Sequence, residues 1–368
     1  MNYYKYLILL IIISACGPFS VKNNFSTPYK TKVTPIKQIK KIVIVSTNNL
    51  EGKLSKSLET VPLPNNDHAL NFNVGGKEAL TSYFNILHNK YKDNLVLLDA
   101  GHLFGEYATT QKKSEILELY KKLSYDAVLF TQKELFDIKI INSTKINYSF
   151  INSNILELKE KELFQSKNIL PYKIITRNGL KVGIIGVTDY QAVSINDKKK
   201  LSGVYFKDIV TTILNSSYNL QKKDVDLIIL LAHTNSKCQN RFCSPQAIIN
   251  TIIERIPPGT VDVIVSSEKL FLNQKINKIP VLQNEGNGKF FSMAELYWDL
   301  KTKKIIPKMT QVYQATKLCH QFLVDTNDCH PFELWSDDLE SLSFDEDFKP
   351  IYMPSFFLGK QVNLLQTN

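Results

Sequence analysis

Arginine is nearly absent. Only three of the 45 basic residues are arginines, Arg177, Arg241 and Arg255. Nucleic-acid readers concentrate arginine and interleave it with aromatic side chains. Here lysine is spread along the whole chain, so the formal charge of +10 describes a solvated lysine surface and excludes nucleic acid as the expected partner. Apolar runs long enough to cross a bilayer are also missing, since the N-terminal one, 6–13, is too short. Repeats at solenoid periods are missing too. Cysteine is scarce, five in 368 residues, and none has zinc-finger spacing. What is present is apolar content of 43%, ample for a core in one large domain or two ordinary ones.

The N-terminus has a charged start at Lys5, the apolar run 6–13, and then Ser14-Ala15-Cys16-Gly17. That order makes a secretory signal. Ile13-Ser14-Ala15-Cys16 resembles the bacterial lipobox, in which the cysteine is lipidated and becomes the mature N-terminus. The alternative is an ordinary signal peptide that contains a cysteine. Lipidation of Cys16 would account for the odd cysteine and predicts a cell-envelope protein, periplasm-facing or in the outer membrane. The other four cysteines form two close pairs, Cys238–Cys243 and Cys319–Cys329. In an exported protein such pairs predict two local disulfides.

The segment 17–40 is polar and patternless, and reads as a flexible tether. Strands are then predicted at 41–46, 95–99, 125–130, 148–151, 171–176, 180–187, 226–232, 261–265, 280–283 and 290–300. Helices are predicted at 77–91, 114–123, 210–220 and 247–256 from apolar spacing near 3.6. Arg177-Asn178-Gly179 is a hairpin signal. Strands alternating with helices predict an α/β layered domain. After about Val312 the pattern changes to a cysteine pair and an acidic, aromatic run, 332–348, with seven carboxylates. This predicts an appendage with a solvated acidic face; a calcium loop is the alternative, but the spacing fits no such loop.

The stretch that organises the chain is Leu95-Val96-Leu97-Leu98-Asp99-Ala100-Gly101-His102: a buried strand, a flexible step, and a histidine held up at its end. In open α/β sheets ligands sit beyond the carboxyl ends of strands. Asn49 and Glu51, His102, Gln132 with Lys133 and Glu134, His233, and Glu268 all stand just past an apolar strand. One such placement is cheap; five in succession predict one converging site.

These residues lie in a chain that resembles the metallophosphatase domain of the bacterial 5′-nucleotidase family, within the calcineurin-like phosphoesterases. The resemblance spans roughly 41–304. It rests on Val74-Gly75-Gly76-Lys77-Glu78-Ala79-Leu80, Leu97-Leu98-Asp99-Ala100-Gly101, Tyr125-Asp126-Ala127-Val128, Val182-Gly183-Ile184-Ile185-Gly186-Val187-Thr188, Val225-Asp226-Leu227-Ile228-Ile229 with His233, and Val261-Asp262-Val263-Ile264. It implies a four-layer β-sandwich flanked by helices over 41–312, preceded by a signal at 1–16 and the tether at 17–40, and followed by a short appendage, 313–368.

The resemblance also implies two divalent metals about 3.5 Å apart that clamp a phosphate and activate water. The ligand motifs depart from that pattern. Asp-x-His-Gly is replaced by Asn49-Leu50-Glu51-Gly52, and the Gly-Asp of the bridging aspartate by Gly101-His102. Gly-Asn-His-Glu becomes Thr131-Gln132-Lys133-Glu134, which puts Lys133 at the family's catalytic histidine. Gly-His-x-His becomes Ser267-Glu268-Lys269-Leu270. Of seven ligand positions only His233 is unchanged. A neutral imidazole has one lone pair and cannot bridge two cations, so the dinuclear site is expected to be lost. Two outcomes remain open. In one, Glu51, His102, His233 and Glu268, with Gln132, hold a single Zn or Mn ion and Lys133 faces a phosphate. In the other, no metal binds, Lys133 pairs with Glu51 or Glu268, and the domain is a pseudoenzyme that binds a phosphorylated small molecule or an envelope partner. The family's nucleotidases stack the nucleoside base in a further C-terminal domain, which the stretch after Val312 is expected to be too short to supply.

Overall fold

The structure is a computed structural model that describes residues 38–62, 69–234, 238–239, 242–243, 248–269 and 271–320. All belong to one compact unit beginning at Lys37. Cys16 and its signal segment, Cys329 and the acidic run 332–348 lie outside the described residues.

Two sheets face each other. The first runs through Phe290–Asp299, Ile39–Thr47, Leu95–Asp99, Ala127–Leu129 and Ser149–Ile151, with parallel pairing from Ile39–Thr47 onward. The second places Leu180–Thr188, Leu227–His233, Val263–Ser266 and Ile279–Leu282 side by side, also parallel. Their strands are apolar on both faces because both faces are covered. Ile42, Ile44, Val96 and Leu98 point between the sheets to meet Val182, Ile184, Leu227, Ile229 and Val263. Val43, Val45, Leu95 and Leu97 point the other way, onto Leu80, Tyr83, Phe84 and Leu87 of helix Gly76–Tyr91 and Ile116, Leu117 and Tyr120 of helix Thr110–Lys122. On the far side, Ile185, Val187, Ile228 and Leu230 meet Val210, Ile213 and Leu220 of helix Ile209–Gln221 and Ile252 of helix Ile248–Arg255. Helix, sheet, sheet, helix are the expected four layers.

The sheets approach each other closely at Gly186. A Cβ there would run into the carbonyl of Ile151, and Ser153, two residues further on, donates its amide to Gly186 O at 2.8 Å. Asn154 and Thr188 complete the seam: Asn154 Nδ2 donates to Thr188 O at 2.8 Å and Thr188 N to Asn154 Oδ1 at 2.9 Å.

Several pieces lie beyond the expected elements, among them a small sheet of Val204–Phe206, Ile155–Glu157 and Glu162–Leu163 and two that extend the main body. A hairpin, Ser57–Pro62 with Ala69–Val74, precedes helix Gly76–Tyr91. A last strand, Gln311–Lys317, pairs with Phe290–Asp299 and carries the body through Val312. Cys319 follows it into the interior, its amide donating to Tyr83 Oη at 3.1 Å.

Candidate functional site

Because the central strands of both sheets are parallel, their carboxyl ends meet along one crevice. The first two loops are joined there. Asn49 N donates to Gly101 O, Glu51 N to His102 O and Gly52 N to Leu103 O, at 2.8–2.9 Å. Asn49, Glu51 and His102 all take left-handed backbone conformations, with φ of 48°, 49° and 59°. Such φ values cost non-glycine residues energy and persist where the surroundings dictate them. Gly101 must be glycine. Its φ is 89°, and a Cβ would stand 2.6 Å from Thr131 Cγ2.

The loops are held from below by a buried carboxylate that sequence reading passed over. Asp99 accepts from Thr47 Oγ1 at 2.5 Å, Tyr120 Oη at 2.8 Å and Gly101 N at 2.7 Å. Burial pushes its carboxyl up to about 7, against the lowering effect of these donors. Glu134 does the same for the third loop. It accepts from Leu103 N, Thr131 N and Thr131 Oγ1, closing a capping box on the short helix Gln132–Phe136. Across the crevice, Asn48 Nδ2 reaches Asn284 O at 2.8 Å and Glu268 O at 3.2 Å.

At the tips, the rings of His102 and His233 lie 4.2 Å apart by centroid. His233 Nδ1 is 3.1 Å from Ser267 O and 2.5 Å from Ser267 Oγ. A carbonyl only accepts, so Nδ1 carries the proton and Nε2 keeps its lone pair, buried without a hydrogen-bond partner. His102 Nε2 faces Gln132 Nε2 at 3.1 Å. The amide donates, so this lone pair is engaged and Gln132 Oε1 is left buried without a partner. Burial, the adjacent His233 and Lys133 hold His102 well below the usual imidazole range. Burial, with Lys133, takes His233 down to about 4. Both rings are therefore neutral at pH 7.

The charged groups are arranged differently from expectation. Lys133 pairs with neither Glu51 nor Glu268. It reaches Asp197 at 3.0 Å, a carboxylate buried in the first turn of helix Ile195–Lys200, and a buried charge needs a counter-charge. Glu51 is paired at 2.9 Å with Lys269. Glu268 has no cation beside its carboxyl among the described residues, and burial pushes it up to about 8. Asp189, at the end of strand Leu180–Thr188, also belongs to the crevice, its amide donating to His233 O at 2.8 Å. Its position after a buried strand was the available signal.

Tested against a two-ion clamp, these residues do not fit. The bridging position is an imidazole, Asn49 and Gln132 are neutral amides, and Glu51 is committed to a lysine. Among the described residues no three His, Cys, Asp or Glu side chains come together as a metal-holding group. Buried acceptor atoms of the crevice that lack hydrogen-bond partners include His233 Nε2, Asn49 Oδ1, Gln132 Oε1 and Asp189 Oδ2.

No family model matches the chain. A 5′-nucleotidase of Rattus norvegicus is 22% identical over 286 residues, covering 71% of this chain and 47% of its own length. The chain thus spans about half the length of that relative. A 5′-nucleotidase precursor from Thermus thermophilus superposes with a TM-score of 0.57 at 18% identity, over 76% of this chain and 55% of that one. The calcineurin-like phosphoesterase YfkN from Bacillus subtilis gives 0.54 at 19% identity, over 75% of this chain and 89% of that one. The chain has the fold of 5′-nucleotidase-type metallophosphatases. Within this fold the crevice described above stands where the resemblance puts the family's metals, on the same strand ends.

Proposed function

We propose that the chain is an exported, lipid-anchored envelope protein whose metallophosphatase domain binds a phosphorylated small molecule without two-metal hydrolysis. One observation carries this: the ring of His102, at the position where the resemblance puts the bridging aspartate, lies against the ring of His233 with centroids 4.2 Å apart. Without an anionic bridge, two divalent ions at contact distance would repel each other unscreened. Lys133 supplies a cation where the resemblance puts a catalytic histidine, and a lysine ammonium attracts phosphate as a point charge. Export and anchoring rest on Ile13-Ser14-Ala15-Cys16. Among the described residues no helix is long and apolar enough to cross a membrane. The backbone register pairs Cys238 with Cys243 across a two-stranded ladder, which supports a local disulfide there; Cys319–Cys329 is the second proposed pair.

A second reading has its own support. His233 Nε2, Asn49 Oδ1 and Gln132 Oε1 are lone pairs without partners, and a single Zn or Mn ion would use them, with Glu51, His102 and Glu268 as further donors. Elemental analysis of the purified protein, with aryl phosphate hydrolysis assayed in added Zn, Mn and Mg, separates the two. The first reading expects no stoichiometric metal and no turnover. Stoichiometric metal that disappears in His233→Ala, with metal-dependent cleavage, would establish the second instead.

A further inference from the structure

We infer that the cavity beside His102 is a metal-independent site for a phosphate monoester, with lysine ammonium groups doing what metal ions do elsewhere. The inference rests on the non-hydrolytic reading and says where the ligand sits. The cavity, about 540 Å³, is walled by Lys53 of the first loop, Lys133 of the third, and Lys112 in the first turn of helix Thr110–Lys122. His102 lines it too, so it opens directly beside the family's metal position.

The pairing of charges singles this cavity out. Neighbouring lysines are committed elsewhere: Lys77 to Glu115, Lys113 to Asp137 and Lys269 to Glu51. Among the described residues Lys53 and Lys112 have no carboxylate partner. Lys133 is shared with Asp197. Two carboxylates line the cavity, Glu51 and Glu106. Glu51 is neutralised by Lys269, so Glu106, exposed at the rim, is the remaining acid. The balance is a surplus of positive charge in a concave wall, which focuses attraction for a compact dianion. The start of a 13-residue helix adds the positive end of its dipole to the same wall.

Tyr107 stands at the mouth of this cavity, 92% exposed. An aromatic ring in that position offers a face to a planar group carried by the phosphate. The ligand class is therefore a phosphate monoester with a planar substituent.

The test is calorimetric titration of the full chain in EDTA with phenyl phosphate and with inorganic phosphate. Both are expected to bind, less tightly as salt rises. The double substitution Lys53→Ala, Lys112→Ala should weaken both by at least roughly tenfold, while Lys77→Ala changes neither. Tyr107→Ala should weaken phenyl phosphate and leave inorganic phosphate unchanged. Thermal melting of each variant shows whether the fold is kept. Should the lysine pair unfold the chain, the more conservative Lys53→Gln, Lys112→Gln carries the same expectation. Absence of binding in EDTA at millimolar ligand, or binding indifferent to the lysine substitutions, overturns the inference and leaves the absence of hydrolysis standing. Metal-dependent hydrolysis together with lysine-dependent binding in EDTA does the reverse.

Discussion

The rims of the two sheets face each other across one crevice, but substitution has not treated them alike. On the first-sheet rim, Asn49, Glu51, His102 and Gln132 all differ from the ligands the resemblance implies, and Lys133 stands where it puts a histidine. On the second-sheet rim Glu268 and Leu270 differ too, but His233 keeps both its identity and its support from Ser267. The groups beneath the changed tips have stayed in full hydrogen-bonding order: Asp99 with three donors, Glu134 with three, and Asn48 spanning to Asn284. A buried polar group that loses its partners costs stability at once, whereas a side chain at a loop tip can change while the fold persists. The fold is therefore anchored below the site, and the chemistry rides on parts the fold does not need.

Restoring the rims one at a time is the harshest test of that contrast. Reverting the first with Asn49→Asp, Glu51→His, His102→Asp, Gln132→Asn and Lys133→His should bring divalent metal into the protein at stoichiometric level by elemental analysis, using the surviving His233. Reverting the second alone with Glu268→His and Leu270→His should not. If the second reversion suffices, the contrast is broken.

Next in size is the seam. Gly186→Val should cost about 3 kcal/mol or more in urea unfolding, because the two sheets cannot part to admit it. Asp99→Asn should cost about 1–3 kcal/mol, since an amide cannot accept all three of the donors. Its pH dependence sharpens the point. The folded carboxyl titrates near 7 and an unfolded one near 3.9, so between these values the folded state holds the extra proton. This group therefore makes stability fall as pH rises from about 4 to about 7, and Asp99→Asn should flatten that part of a stability profile. The smallest effect belongs to the tips. Lys269→Ala breaks a half-exposed pair with Glu51 and should change stability by less than about 1 kcal/mol.

The layers were legible in the sequence because strands covered on both faces are written as unbroken apolar runs. Leu95–Asp99 and Leu227–His233 could hardly be anything else. The hairpin Ser57–Pro62 with Ala69–Val74 was passed over: Leu70-Asn71-Phe72-Asn73-Val74 does alternate, but the run is short and its partner Ser57–Pro62 does not share the pattern. In the site, strand-end position found Asn49, Glu51, His102, Gln132, Lys133 and His233, and the loop contacts and ring distance bring them together. What it could not supply was pairing. Lys133 and Asp197 are 64 residues apart, and Glu51 and Lys269 are 218 apart; no local pattern announces which lysine will take which acid. Asp99 was read as part of the strand, although it carries the turn that holds His102.

The backbone ladder between the first two loops has a consequence for how such a centre is lost. Asn49 hangs from Gly101 and Glu51 from His102, so the two motifs behave as a single mechanical piece. A shift in one repositions its neighbour, so a ligand held by either loop would feel a change made in the other.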